Sequence, residues 1–270
     1  MRIYLINLKK KGWLNMDKKQ QLIDICKDLR LPSIRKMVQE ETNFKNPEQA
    51  FDVLLQVLLQ EKSDRLVRAK YNRSRAANFP EQKLLEELQE KELPDEAQRK
   101  LPHLKSLDFI KQGQNVILTG SPGTGKSHIS VGLGIEACMA GYKVYFATVS
   151  SLINQLKECR SERTLRAFEL KFEKYDLVII DELGYISFDK DGAELLFSHL
   201  SLRAGRKSTI ITSNLSFLKW QEIFHDPVLT AALTDRLTHK SHVVNMRGPS
   251  FRMKETEKWM KMNEDKVAHN

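Results

Sequence analysis

The run Gly120-Ser121-Pro122-Gly123-Thr124-Gly125-Lys126-Ser127 constrains this chain more than any other feature. It matches the G-x-x-x-x-G-K-[ST] phosphate loop, and its flanks are those the motif requires. The apolar run Asn115–Thr119 leads in as a strand, and a helical stretch from Ser127 to about Ala140 leads out. Glycines at these places let backbone N–H groups converge on phosphate oxygens without Cβ clashes. The helix N-terminus adds partial positive charge where an anion would lie. Lys126 can reach the β- and γ-phosphates, and Ser127 can offer an oxygen to Mg²⁺. Gly120 to Ser127 are therefore the expected nucleotide-binding set. His128 is taken with them by position, as a helix residue rather than an acid–base group.

A metal-bound phosphate also needs a carboxylate, and Leu177-Val178-Ile179-Ile180-Asp181-Glu182 presents one at the end of an apolar strand. Asp181 is placed to hold Mg²⁺, with Ser127, and Glu182 to polarise an attacking water. The adjacent glutamate favours hydrolysis over transfer to a substrate hydroxyl. A further strand, Ser208–Thr212, ends in Ser213-Asn214. Asn214 there can bond the γ-phosphate or the lytic water; its bland reading is a turn or cap residue. Arg236 and Arg252 follow, and either can stabilise transition-state charge, from the same chain or a neighbour.

The rest of the chain falls into segments. Met16-Asp17-Lys18-Lys19 would serve as a start, which makes residues 1–15 an expected upstream extension. Leu22, Ile23, Cys26 and Leu29 repeat at helical spacing, as do Ile34, Met37 and Val38, with Leu31-Pro32 as the turn between them. Asn46-Pro47-Glu48-Gln49 is a helix start, with Asn46 as cap and Pro47 in the first turn. The helix it opens places Phe51, Leu54, Leu55, Leu58 and Leu59 on one side, then turns basic. Residues 16–78 thus read as a small helical domain. An acidic, proline-punctuated connector is expected over 79–104, a nucleotide-binding domain over 105–262, and a flexible tail over 263–270. Val116–Leu118, Val144–Phe146, Leu177–Ile180 and Thr209–Ile211 are continuous apolar runs of strand length, as in parallel strands buried on both faces.

Composition narrows the setting. The chain has 270 residues, 41% of them hydrophobic and 29% charged, which excludes wholesale disorder. Three cysteines without a CxxC pair argue against a disulfide scaffold or zinc knuckle and fit a reducing cytoplasm. No apolar run reaches the roughly 20 residues that span a bilayer. The formal net charge of +9 is compatible with nucleic acid or with ordinary solubility. His239 and His242 lack a further ligand to complete a metal set. Trp220 and Trp259 read as packing anchors rather than stacking platforms.

The phosphate loop with its following helix, then LVIIDELGYIS, STIITSNLSFLKWQEIFHD, LTDRLTH and GPSFR, together resemble the IstB-like helper ATPases of insertion sequences. These are relatives of the DnaC-like helicase loaders within the AAA+ superfamily. The Thr212, Ser213, Asn214, Phe217, Trp220 pattern is the most specific part of the likeness, which covers about Asp17 to Met260. The resemblance implies an α/β AAA+ P-loop NTPase fold with a five-stranded parallel sheet, preceded by a small all-helical domain. It implies that Asn214 is a first sensor, Arg236 an arginine finger reaching a neighbouring subunit, and Arg252 a second sensor. It also implies ATP and Mg²⁺ as cofactors and a homo-oligomer assembled through the ATP site on DNA; phosphate contacts by Lys and Arg would make that DNA binding largely sequence-independent. The partner would be a transposase, whose target DNA the assembly remodels; a replicative helicase is the alternative. The motifs do not transfer the DNA contacts. The candidates are the cationic helix end, Arg65, Arg68, Arg73 and Arg75, and the stretch before the acidic strand, Lys157, Arg160, Arg163 and Arg166. Such residues would neutralise phosphates; the alternative is a solvated face, with interleaved glutamates as helix-stabilising pairs.

Overall fold

The computed structural model describes residues 16–40, 46–185, 188–224 and 226–268; the expected upstream extension, 1–15, lies outside them. The chain divides into two units between Asn72 and Arg73. The first contains α1 (Lys18–Asp28), α2 (Pro32–Glu40) and most of α3 (Pro47–Ala76). Leu22, Ile25, Cys26, Leu29, Val38, Phe51 and Leu58 form its core, with Leu54, Leu55 and Leu59 packed against it. Asn46 caps α3 by accepting the Gln49 N–H at 3.4 Å, satisfying one of the orphan donors of a helix start. Met37, grouped with this core by its spacing, stays exposed.

Period-2 alternation along the apolar runs assigns each side chain of the second unit to one of two cores. The strands are β1 (Asn115–Thr119), β2 (Val144–Thr148), β3 (Leu177–Leu183), β4 (Ser208–Ser213) and β5 (Ser241–Asn245). They form one sheet in the order β2-β3-β4-β1-β5, every pair parallel. Val116, Leu118, Leu177, Ile179 and Ile210 face one core, together with the helix after the loop, α6 (Lys126–Ala140). Ile117, Val178, Ile180 and Ile211 face the other. That second core is closed by α7 (Val149–Ser161), α8 (Leu165–Phe172), α9 (Lys190–Arg203), the one-turn α10 (Gln221–Phe224) and α11 (Pro227–Thr238). A last helix, α12, runs from Phe251 to Ala268, through the segment expected as a tail.

Three features depart from the sequence pattern. The acidic segment before β1 is not merely a tether: Leu85, Leu93, Ala97, Leu101 and Leu104 are buried in the first core. They are carried partly by α4 (Asp95–Lys105), which accommodates Pro102, and the short α5 (Asp108–Lys111) follows. Trp220 is fully buried as an anchor, edge-on to Phe217, but Trp259 on α12 is 61% exposed. Arg203, at the end of α9, is buried. It donates to the carbonyls of Phe172, Tyr175 and Ser208 at 2.8, 3.0 and 3.0 Å, so it ties α8 to the starts of β3 and β4. Burial pushes its pKa down to about 10, against the pull of Asp176.

Candidate nucleotide-binding site

The strand order brings the C-terminal ends of β3, β4 and β1 side by side. In open parallel sheets that edge is where ligands bind. The phosphate loop leaves β1 there and is fastened at its root on both sides. Gly120 donates its N–H to Ser213 O at 3.1 Å, and Met246 donates to Thr119 O at 2.6 Å. A Cβ on Gly120 would stand 2.2 Å from the Met246 carbonyl carbon, so the approach of the chain after β5 admits only glycine. Gly123 has φ +76°, and a Cβ there would meet Ser250 Oγ at 2.1 Å. The Phe251 N–H donates to Gly123 O at 2.9 Å. The GPSFR segment that opens α12 is therefore seated on the loop.

Lys126 is 6% exposed, and its ammonium is folded back on the loop, donating to Gly120 O at 2.8 Å and Ser121 O at 2.6 Å. Burial pushes its pKa down to about 8; Asp181 pulls it back up, and the charge of Arg252 depresses it further. Thr124 is buried and closes the turn through its hydroxyl, donating to Ser121 O at 2.9 Å. His128 bonds outward, its Nε2 lying 2.7 Å from Leu84 O. The structure thus places His128 against the preceding segment, as a helix residue in contact with the chain itself.

The acidic pair is split by a bulge. Ile180 pairs with Ile211 and Leu183 with Ser213, so Asp181 and Glu182 together oppose Thr212. Such an inserted residue bends a strand and re-aims its side chains. Asp181 turns inward and is 5% exposed, whereas Glu182, at φ +69°, turns out to solvent. Asp181 Oδ1 accepts the Ser127 hydroxyl at 3.1 Å and the Thr212 hydroxyl, and Thr212 Oγ1 accepts the Glu182 N–H at 3.0 Å. Thr212 is the residue that sequence reasoning missed as a site member. Its signal was a hydroxyl near the end of a strand beside the acidic one. Asn214 directly follows β4, its Oδ1 buried beside Gly184 with no hydrogen-bond partner among the described residues.

Ser127, Lys126, Asp181 and Asn214 therefore gather at one edge with the loop, and Arg252 is close enough to act on Lys126. Arg236 is elsewhere: on α11 it bonds Ser201 Oγ at 2.7 Å and lies over the Phe197 ring, both on α9. Of the basic candidates, Lys157 pairs with Asp189, Arg160 with Asp191 and Arg166 with Glu169. Arg65 pairs with Glu61, and Arg73 donates to Cys138 O. Arg68, Arg75 and Arg163 are exposed. The residues present suit a Mg-triphosphate group. An ammonium is held by the loop's own carbonyls, one carboxylate oxygen is already oriented by two hydroxyls, and a buried amide oxygen has no hydrogen-bond partner among the described residues.

Comparison with known proteins agrees. Residues 25–259 match the family model described as IstB-like ATP binding protein. A Pseudomonas aeruginosa protein named for ATP binding in insertion sequence IS21 is 35% identical over 77% of this chain and 78% of its own length. Its counterpart from IS5376 of Geobacillus stearothermophilus is 40% identical over 60% of this chain; the chain spans 64% of that relative. Among solved structures, replication initiator DnaA bound to AMPPCP and single-stranded DNA aligns with TM-score 0.54 and 18% identity, over 64% of this chain and 52% of that one. The DnaC helicase loader aligns with TM-score 0.50 and 21% identity, over 57% of this chain and 91% of that one. These two likenesses speak to the AAA+ fold alone. The loop, its sheet and the matched relatives converge on one assignment: the chain belongs to the IstB-like ATP-binding proteins of insertion sequences.

Proposed function

We propose that this protein is a Mg²⁺-dependent ATPase that assembles on target DNA through its nucleotide sites and assists a transposase. The observation that carries the reading is the bonding of Ser127 and Thr212 to one oxygen of Asp181 beside the phosphate loop. It unites the loop with the acidic strand in the arrangement that phosphoryl chemistry needs. Lys126 exchanges its two loop carbonyls for phosphate oxygens, and the loop N–H groups take up the remaining negative charge. Ser127 and Asp181 would hold Mg²⁺, which neutralises charge on the phosphate oxygens. Glu182, turned outward by the bulge, accepts the proton of the water that attacks the γ-phosphorus as the bond to the β-phosphate oxygen breaks. Asn214 supplies an amide to that water or to the γ-phosphate.

The position of Arg236 on α11, away from the loop of its own chain, supports a finger role toward the nucleotide of a neighbouring copy. The effect of Arg252 on Lys126 supports a second-sensor role in its own site. For DNA, both basic stretches stand as candidates: Arg68 and Arg75 are exposed at the helix end and Arg163 in the second stretch, where Lys157, Arg160 and Arg166 are engaged in ion pairs. The insertion-sequence names of the relatives favour a transposase over a replicative helicase as partner, with the work done in the cytoplasm.

The test uses the full chain with Mg-ATP and duplex DNA. Glu182→Gln binds ATP without turnover, and Arg236→Ala keeps binding while turnover falls. Mixing Arg236→Ala with Lys126→Ala subunits recovers part of the rate, because each supplies what the other lacks. Wild-type turnover in Glu182→Gln sinks the hydrolysis reading, and no recovery on mixing sinks the finger between subunits. Capture from cells with ATP present recovers transposase; recovery of a replicative helicase instead reverses the partner.

A further inference from the structure

Thr212 lies in the strand next to the acidic pair, and its hydroxyl both donates to and accepts from that pair. It accepts the Glu182 N–H at 3.0 Å and donates to Asp181 Oδ1. The side chain is 2% exposed, so water does not substitute for either bond. The two residues it touches are those of the bulge, where Asp181 and Glu182 together face Thr212 across the β3–β4 ladder. Without a partner, the Glu182 N–H would be an orphan donor at φ +69°, a conformation that a glutamate holds only when its surroundings impose it. Both hydroxyl bonds to Asp181, from Ser127 and from Thr212, fall on Oδ1. That arrangement holds the carboxylate by one oxygen from two sides, the loop and β4.

We propose that Thr212 is a positioning residue for hydrolysis, one hydroxyl that sets the metal-side carboxylate and the water-side glutamate in mutual register. This rests on the ATPase reading above and adds to it a residue that touches neither phosphate nor water. Partners that orient metal ligands carry about 10- to 100-fold in metal affinity or activity when removed. The Thr212→Val variant keeps the shape and loses both bonds; Thr212→Ser keeps the hydroxyl.

The experiment measures steady-state ATP turnover of the full chain against ATP and against Mg²⁺, with nucleotide affinity and thermal melting taken on the same samples. Expected for Thr212→Val is a fall in kcat of about 10-fold or more, a rise in the Mg²⁺ concentration for half-maximal rate, and little change in KM. Thr212→Ser returns both quantities to within about threefold of wild type. Should Thr212→Val fail to fold, Thr212→Ala and Thr212→Ser carry the same comparison, since only the serine retains a hydroxyl. A hydroxyl-free variant with wild-type kcat and Mg²⁺ dependence overturns the proposal. So does a serine variant as slow as the valine one, because the effect would then follow packing rather than bonding. Wild type and Glu182→Gln run alongside: if wild type does not turn over ATP, the hydrolysis reading fails first, and if it does while Thr212→Val matches it, the positioning role alone fails.

Discussion

The buried amine of Lys126 makes nucleotide affinity depend on pH in a way that can be worked out beforehand. Burial holds its pKa down at about 8. A triphosphate brings negative charge against the ammonium and raises that pKa in the complex. The bound pKa therefore exceeds the free one, so the ammonium's contribution is complete below about pH 8. It is lost as pH climbs from there toward the bound value. At pH 7 roughly nine-tenths of the free protein carries the proton, and at pH 9 roughly one-tenth. Affinity should fall about tenfold between the two, about 1.4 kcal/mol, with uptake of about half a proton per nucleotide bound at pH 8. Titration of a fluorescent ATP analogue at constant ionic strength from pH 7.5 to 9 follows the slope. Calorimetry in two buffers of different ionisation enthalpy counts the proton. Lys126→Met should bind weakly with little slope over that range. A wild-type affinity that stays flat across it, or a Lys126→Met slope as steep as wild type, refutes the assignment of this proton to Lys126.

Two other substitutions probe the scaffold. Gly120→Ala drives a Cβ to 2.2 Å from the Met246 backbone, a clash that no side-chain rotation relieves; a loss of about 1–3 kcal/mol in urea unfolding is expected, together with weakened ATP binding. A wild-type midpoint would mean that the chain after β5 is free to move off the loop. Arg203→Ala strands the three carbonyls that the guanidinium joins and should cost about 3 kcal/mol or more; an unchanged urea midpoint would show that the clamp between α8 and the sheet contributes nothing.

What could be read from the residues alone depended on how much of the signal was local. The phosphate loop is a contiguous pattern, and four of the five strands are unbroken apolar runs, so both were visible without tertiary information. β5 was not, because Ser241-His242-Val243-Val244-Asn245 is a half-exposed edge strand with only two apolar residues. The segment ahead of β1 was disguised by its glutamates, which cover the spacing of Leu93, Ala97, Leu101 and Leu104. Arg203 reads as a solvent residue until three carbonyls are found around it. Thr212 escaped for a related reason: its importance lies in what faces it across the ladder, and the bulge that brings two acidic residues opposite one threonine exists only once β3 and β4 are paired. Trp259 failed in the opposite direction, since a large apolar side chain is no proof of a core to receive it.

The seating of Ser250 and Phe251 on Gly123 has a practical corollary for handling this protein. α12 spans 18 residues, a rod of about 27 Å, with its near end fixed by a backbone bond to the triphosphate cradle. A purification handle, dye or surface tether joined at the far end is thus connected through one helix to the phosphate loop. Attachments beyond Ala268 will pull on the loop through Phe251 and Gly123.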